Sequence, residues 1–264
     1  MSNNCLPPAT LQIENLVILY DGKPALDNIS LQVPVGSRVA VVGPNGAGKT
    51  TLFKALVSLL PISHGSIHIH GEPLGHHLDC VAYVPQKEEV DWRFPITVED
   101  VVTMGKFGKS GWLGAISQSD RRQIHTAMER LRILDLAGRS ISELSGGQQQ
   151  RVFLARAIAQ NPHILLMDEP FSGVDAATEE SLLELLDELS REKVTIMVAT
   201  HDLDLALKRF DLTALLNKHL IAFGPSRQVF SEKNIDEVFG KQTINIKGKV
   251  VVDHCCPPDK KGQQ

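Results

Sequence analysis

Short apolar runs closed by glycine, proline or asparagine recur along the chain, and stretches with apolar residues every three to four positions lie between them. Arg38-Val-Ala-Val-Val42 is one such run, β-branched and followed by Gly43-Pro44-Asn45, as a strand buried on both faces would be. Before it, Leu11 to Val33 mixes short β-like runs with turn signals at Asp21-Gly22 and Pro24. After it, Thr51 to Leu60 reads as a helix stopped by Pro61, and Gly65 to Gly71 and Cys80 to Val84 read as two further strands. From Pro95 to Ala159 the pattern turns helical. Gly105 to Gly114 reads as a loop, Asp120 to Leu134 carries helical spacing through Ile124, Met128, Leu131 and Leu134, and a second helix runs from Ser145 to Ala159.

Alternation then resumes. Ile164-Leu-Leu-Met167 reads as a buried strand, Leu182, Leu185, Leu186 and Leu189 mark the inner face of a helix, and Val194 to Ala199, Asp211 to Leu216 and Leu220 to Phe223 read as strands. Strands separated by helices imply a parallel sheet with crossover connections. The block from about 90 to 158 is then a helical insertion in an α/β domain, and the tail from Lys247 to Gln264 reads as loosely ordered.

With 264 residues, the chain suits one large domain or one domain with an insertion. Its 27 basic against 31 acidic side chains, a net charge of −4, argue against binding nucleic acid through bulk charge. No apolar run approaches the roughly 18 residues that span a bilayer, and Met1 to Pro8 lacks the pattern of a secretory signal. Cys5, Cys80, Cys255 and Cys256 are too few and scattered for a disulfide framework. These features predict a soluble protein of the cytoplasm.

Gly43-Pro44-Asn45-Gly46-Ala47-Gly48-Lys49-Thr50 fits a phosphate-binding loop, placed where the mechanism requires it, after a buried strand and at the opening of a helix. Its glycines let backbone N–H groups turn inward around phosphate oxygens at the positive end of that helix. Lys49 adds a point charge at the β- and γ-phosphates, and the Thr50 hydroxyl suits Mg²⁺. Ile164-Leu-Leu-Met-Asp168-Glu169 completes such a site: an apolar strand delivers carboxylates at its C-terminal end, the edge where open α/β sheets bind ligands. Asp168 would hold Mg²⁺ and Glu169 would polarise the attacking water.

Leu144-Ser145-Gly146-Gly147-Gln148, followed by Gln149-Gln150-Arg151, lies between those two motifs. A serine hydroxyl, two glycine amides and a helix N-terminus form a second anion-binding surface. Here the sequence resembles the ATP-binding subunits of ABC transporters, over roughly Leu11 to Gly240. The resemblance implies a P-loop NTPase core of RecA-like α/β fold, with an N-terminal antiparallel β subdomain and an inserted helical subdomain. Its boundaries fall at 11–89 and 159–240 for the β subdomain and core, at 90–158 for the helical subdomain, and at 241–264 for a partly disordered extension.

The resemblance also assigns roles. Tyr20 matches the aromatic that stacks on adenine, and the loop from Gly43 to Thr51 matches the phosphate cradle. Gln86 matches a glutamine that senses metal and γ-phosphate, Asp175 a loop passed between paired subunits, and His201 a switch histidine at the γ-phosphate. Two copies would face each other head to tail, each ATP lying between the 43–50 loop of one subunit and Ser145-Gly146-Gly147-Gln148 of the other. ATP would close this homodimer, and its hydrolysis would release it. The switch would pass to a membrane permease docked near Gln86 and the helical subdomain. That places the chain peripherally, on the cytoplasmic face of the inner membrane, in a complex with an extracytoplasmic metal-binding protein and no nucleic acid.

The cargo is read from Tyr83 to Gly105 and Gly108 to Gly114, which are similar to the subgroup of ABC ATPases serving manganese, zinc and iron importers. Val90-Asp91-Trp92 followed by Phe94-Pro95 carries most of that likeness. It implies a manganese importer, with zinc and iron(II) as alternatives. Trp92 and Phe94 beside Gln86 suit either a notch for a permease helix or ordinary packing. The histidines at 64, 68, 70, 76 and 77 crowd one region, with His68 and His70 expected on one strand face. No cysteine or carboxylate set completes a four-ligand spacing among them, so a polar outer strand face accounts for them. His254-Cys255-Cys256 reads as part of an unstructured appendix.

Rival classes fare worse. A GTPase needs Asn-Lys-x-Asp, and Asn217-Lys218-His219-Leu220 lacks the aspartate. A soluble ABC protein of DNA repair or translation would carry two fused ATPase units or a long coiled coil. A degenerate regulatory module would have lost catalytic positions, yet each holds the expected residue.

Overall fold

The computed structural model describes residues 11–89, 92, 94–107, 116–240, 243–246 and 249–252. Alternation of side chains along its strands divides the core in two. Along β3 (Arg38–Val42), Val39 and Val41 enter one apolar cluster and Ala40 and Val42 the other. The same split recurs in β7 (Ile164–Asp168) and β8 (Thr195–Thr200), where Leu165, Met167, Ile196 and Val198 join Ala40 on one side. A continuous apolar strand therefore reads as it does because both of its faces are covered.

These strands sit in a six-stranded sheet of order β10-β9-β3-β8-β7-β6, with β6 (Val81–Val84), β7, β8, β3 and β9 (Leu212–Asn217) parallel. The last strand, β10 (His219–Pro225), pairs antiparallel with β9. The alternating pattern predicts parallel crossovers, but the short turn around Lys218 leaves no chain for one and forces a hairpin. A second sheet, β2-β1-β4-β5, is antiparallel and is built from β1 (Leu11–Tyr20), β2 (Lys23–Val33), β4 (His64–Ile69) and β5 (Glu72–Pro73). Its inward residues Leu16, Ile29 and Ile67 share a cluster with Val39 and Val41, and with Leu52 and Phe53 of helix α1 (Lys49–Leu56).

Among the described residues, the α-helices between β6 and β7 are α2 (Val98–Thr103), α3 (Gln118–Arg130) and α4 (Gly146–Ala159). Each opens on a capping box: Thr97 with Asp100, Ser117 with Asp120, and Ser145 with Gln148. Their apolar faces, with Val101, Met128 and Val152, form one cluster with Leu182 and Leu186 of helix α5 (Ala176–Arg191). After β8 come α6 (Leu203–Arg209), α7 (Ser226–Val229) and α8 (Glu232–Phe239).

Several boundaries differ from the sequence reading for local reasons. Helix α1 starts two residues early, because Gly48 adopts φ 97° as its N-cap, and it ends before Ser58 at φ 56°. Helix α3 stops short of Leu134 because Arg132 turns left-handed at φ 53°. Gly105, expected in a loop, lies in a 3₁₀ turn at Met104–Lys106, where a Cβ would fall 2.3 Å from the Arg156 carbonyl oxygen. Gly108 to Gly114, Val90-Asp91 and His254-Cys255-Cys256 lie outside the described residues.

β11 (Thr243–Ile246) and β12 (Lys249–Val252) pair antiparallel, as the β-branched residues of Thr243-Ile-Asn-Ile246 and Val250-Val-Val252 favour. Among the described residues, no helix is long and apolar enough to cross a membrane.

Candidate functional site

The turn from β3 into α1 brings backbone amides inward because its glycines permit it. Gly46 and Gly48 adopt φ 80° and 97°, in the left-handed region. Gly43 is needed for space: a Cβ there would lie 2.1 Å from the Leu216 carbonyl oxygen and 2.8 Å from the Ala47 Cβ. The Ala47 carbonyl accepts the Lys218 N–H at 2.8 Å, pinning the loop to the β9–β10 turn. Lys49, 6% exposed, donates from Nζ to the Gly43 carbonyl at 2.8 Å and to that of Pro44 at 3.3 Å. Burial pushes its ammonium below the usual lysine value, with Glu169 and Asp168 pulling the other way.

Asp168 ends β7 almost fully buried. Burial raises its carboxyl above the ordinary range, partly offset by a hydrogen bond from Thr50. Its Oδ2 is buried without a hydrogen-bond partner. Glu169 follows at φ 47°, a left-handed conformation that costs a non-glycine residue about 1–3 kcal/mol. Its N–H is anchored on the Ala199 carbonyl at 3.0 Å. That bend directs the carboxylate to Lys49 Nζ, 3.8 Å from Oε1, and to His201 Nδ1, 3.2 Å from Oε2. His201, just past β8, is more than half exposed while Glu169 is largely buried.

Glu169 and His201 line a cleft of about 650 Å³, together with residues 44–51, Gln86, Tyr20, Ala25 and Phe239. The cleft offers amide N–H groups and an ammonium with a carboxylate and an imidazole beside them, and Tyr20 supplies a half-exposed aromatic ring. Such a cleft can take a polyphosphate with an attached planar group and present a base to water beside the phosphates. Phe239 and Ala25 are missing from the sequence reading. Phe239 ends a helix far along the chain, and no local pattern marks it as facing the loop.

Ser145, Gly146, Gly147, Gln148 and Asp175 do not line this cleft. They gather instead where α4 and α5 begin. Ser145 caps α4, its Oγ accepting the Gln148 N–H at 3.4 Å while Gln148 Oε1 accepts the Ser145 N–H at 2.9 Å. Asp175 caps α5, accepting the Thr178 N–H and Oγ–H, each at 2.9 Å, and these bonds hold its carboxyl below the usual range. A Cβ on Gly147 would sit 3.4 Å from Thr178, and one on Gly146 would lie 2.8 Å from Lys87 Nζ. Lys87, next to Gln86 and also missed from sequence, so connects the cleft wall to the start of α4. The two aromatic residues of the 92–94 segment diverge. The Trp92 ring packs edge-on to Phe153 at 5.0 Å and its Nε1 donates to the Lys87 carbonyl at 2.9 Å, whereas Phe94 is 59% exposed.

Residues 26–172 match the family model described as ABC transporter. Over 243 residues the chain is 44% identical to the manganese transport system ATP-binding protein MntB of Bacillus subtilis (strain 168), covering 92% of this chain and 97% of that one. It is 43% identical to the zinc transport system ATP-binding protein TroB of Treponema pallidum (strain Nichols), covering 87% and 86%. Among solved structures, a chain of an ABC transporter in an inward-facing conformation superposes with a TM-score of 0.78 at 27% identity, covering 92% of this chain and 95% of the other.

Proposed function

Because this chain belongs to the ABC transporter ATP-binding family, we infer that it is the ATPase of an importer for divalent transition metal ions, manganese first among them. The reading rests on one observation above others: Lys49, Glu169 and His201, from three separate places in the sequence, meet around one cleft beside a glycine loop, with Asp168 next to Glu169 at the end of β7. ATP enters with its phosphates on the loop amides and Lys49, and its adenine toward Tyr20. Glu169 accepts the proton of the attacking water, and His201, hydrogen-bonded to it, holds that carboxylate in place and meets the γ-phosphate.

Thr50, Gln86 and Asp168 would hold Mg²⁺. The fit rests on the buried Asp168 Oδ2, an oxygen with no protein partner, beside the Thr50 hydroxyl. Bound there, the ion neutralises charge on the phosphate oxygens. Ser145 to Gln148 and Asp175 complete the site from a second copy. Supporting this, the start of α4 brings a serine hydroxyl and two glycines to a helix N-terminus, outside the cleft of its own chain. Closure of that homodimer moves a permease docked near Gln86 at the cytoplasmic membrane face, where exposed Phe94 suits an apolar contact with a permease helix. An extracytoplasmic binding protein delivers the metal.

Uptake of radiolabelled Mn²⁺ tests the reading. Cells lacking this protein lose uptake, the wild-type gene restores it, and Glu169→Gln does not. Mn²⁺ uptake that survives the deletion removes manganese. Loss of Zn²⁺ uptake in its place favours the second reading, a zinc importer, which the 43% identity to a zinc transport subunit supports. Iron(II) is tested in the same assay.

A further inference from the structure

At the opposite end of β6 and β7 from the cleft, three side chains converge that the sequence keeps far apart. His70 Nε2 lies 2.9 Å from His163 Nδ1, and Cys80 Sγ joins them, all three ligand atoms lying within 4.8 Å of one another. Cys80 also forms a second group of that spacing with His77 and Asp79. Local backbone geometry explains the convergence. The strand β4 ends at Ile69 and His70 turns left-handed at φ 57°, so His70 leaves the face of His68 and its ring meets those of His163 and His77 edge-on, at 5.0 and 5.2 Å. The His163 N–H donates to the Cys80 carbonyl at 2.8 Å, and Gln160 Nε2 donates to the Asp79 and Val81 carbonyls at 3.1 and 3.0 Å, fixing the two loops side by side.

We propose that His70, Cys80 and His163, with His77 or Asp79 as fourth ligand, form a binding site for a borderline-soft divalent transition ion of the Zn²⁺ class. Two imidazoles and a thiolate are a donor set that favours such ions over hard Mn²⁺ or Mg²⁺. Zn–N bonds of about 2.0–2.1 Å and a Zn–S bond of about 2.3 Å place tetrahedral ligand atoms about 3.3–3.6 Å apart. The His70, Cys80 and His163 ligand atoms, all within 4.8 Å of one another, would settle to those spacings by side-chain shifts, with the 2.9 Å imidazole contact opening slightly. Cys80 is buried and the histidines half-buried, so the ion would be shielded from competing water. Binding deprotonates the Cys80 thiol and releases that proton to solvent. The site is separate from the nucleotide cleft, and its existence does not depend on which metal the transporter carries.

Co²⁺, a coloured stand-in for Zn²⁺, tests the site in the full chain carrying Cys5→Ser, Cys255→Ser and Cys256→Ser, which leaves Cys80 as the sole thiol. One Co²⁺ per chain should give a near-ultraviolet thiolate-to-metal band, removed by stoichiometric Zn²⁺ but not by equal Mn²⁺. Cys80→Ser should abolish the band, and His163→Gln, which spares the buried thiol, should weaken Co²⁺ affinity at least tenfold with ATP hydrolysis retained. A folded chain that shows no band, a band indifferent to His163→Gln, or displacement by Mn²⁺ as readily as by Zn²⁺ overturns the proposal.

Discussion

Glu169 Oε2 stands 3.2 Å from His201 Nδ1, and the left-handed backbone at Glu169 is what turns the carboxylate there. The same carboxylate faces Lys49 at 3.8 Å, so one group sits between the phosphate-binding cation and the imidazole. Glu169→Gln keeps the shape and the hydrogen-bonding capacity but removes the base. Turnover should fall by about 10²–10⁴-fold, the usual contribution of a positioned base. ATP affinity should stay within a few-fold, as checked by equilibrium binding beside a phosphate-release assay. A variant that hydrolyses ATP at the normal rate would refute Glu169 as the base.

Much of this arrangement was legible in the sequence because strand and helix flanks are local. The run Arg38–Val42 before the glycine loop and Ile164–Asp168 before Glu169 announce two strands whose C-terminal ends carry chemistry, and both strands are there. What the sequence concealed depends on long-range contact or on single backbone dihedrals. Phe239 reaches the cleft from the end of α8, and His163 meets His70 across a gap of 93 residues. No periodicity encodes either meeting. The premature end of α3 at Arg132 and the turn at His70 are likewise left-handed residues without glycine, which composition does not mark.

Two glycines of the loop should respond differently to alanine. At Gly46 a Cβ meets nothing within 4 Å, so Gly46→Ala carries only the strain of φ 80°, about 1–2 kcal/mol. At Gly43 the Cβ would overlap the Leu216 carbonyl, so the loop must move off β9. Gly43→Ala should therefore lower Tm more than Gly46→Ala and also abolish ATP binding. Thermal unfolding with and without nucleotide separates the two effects.

A pH dependence follows from Arg38. Its guanidinium bonds both oxygens of Asp211, at 2.9 and 3.1 Å, and also reaches Asp187. This holds the Asp211 carboxyl below its usual range. A carboxyl depressed in the folded state stabilises the protein above its unfolded value of about 3.9, and that contribution is lost as pH falls through the folded value. Asp211→Asn should then cost about 0.5–1 kcal/mol at neutral pH, a small figure because the Asp211 carboxylate is half exposed. The gap from wild type should close as pH falls through the folded value of Asp211. Urea titrations across that range measure it, and a gap independent of pH would assign the loss to packing.

The separation of Ser145 from the cleft of its own chain makes the two-copy site testable by mixing. Lys49→Ala removes the phosphate-facing cation but leaves the start of α4 intact. Ser145→Arg places a bulky cation at that start and leaves the loop intact. If each site draws its loop from one copy and its serine–glycine turn from the other, each variant alone has two damaged sites. A heterodimer of the two gathers both lesions into one site and keeps the other whole. Purified variants mixed in equal amounts should regain ATP hydrolysis that neither has alone, with a maximum near equal proportions. If each chain acted alone, no ratio would restore activity. Equal inactivity at every mixing ratio, with heterodimers demonstrated by differential tagging, would sink the shared site while leaving the cleft built by Lys49, Glu169 and His201 untouched.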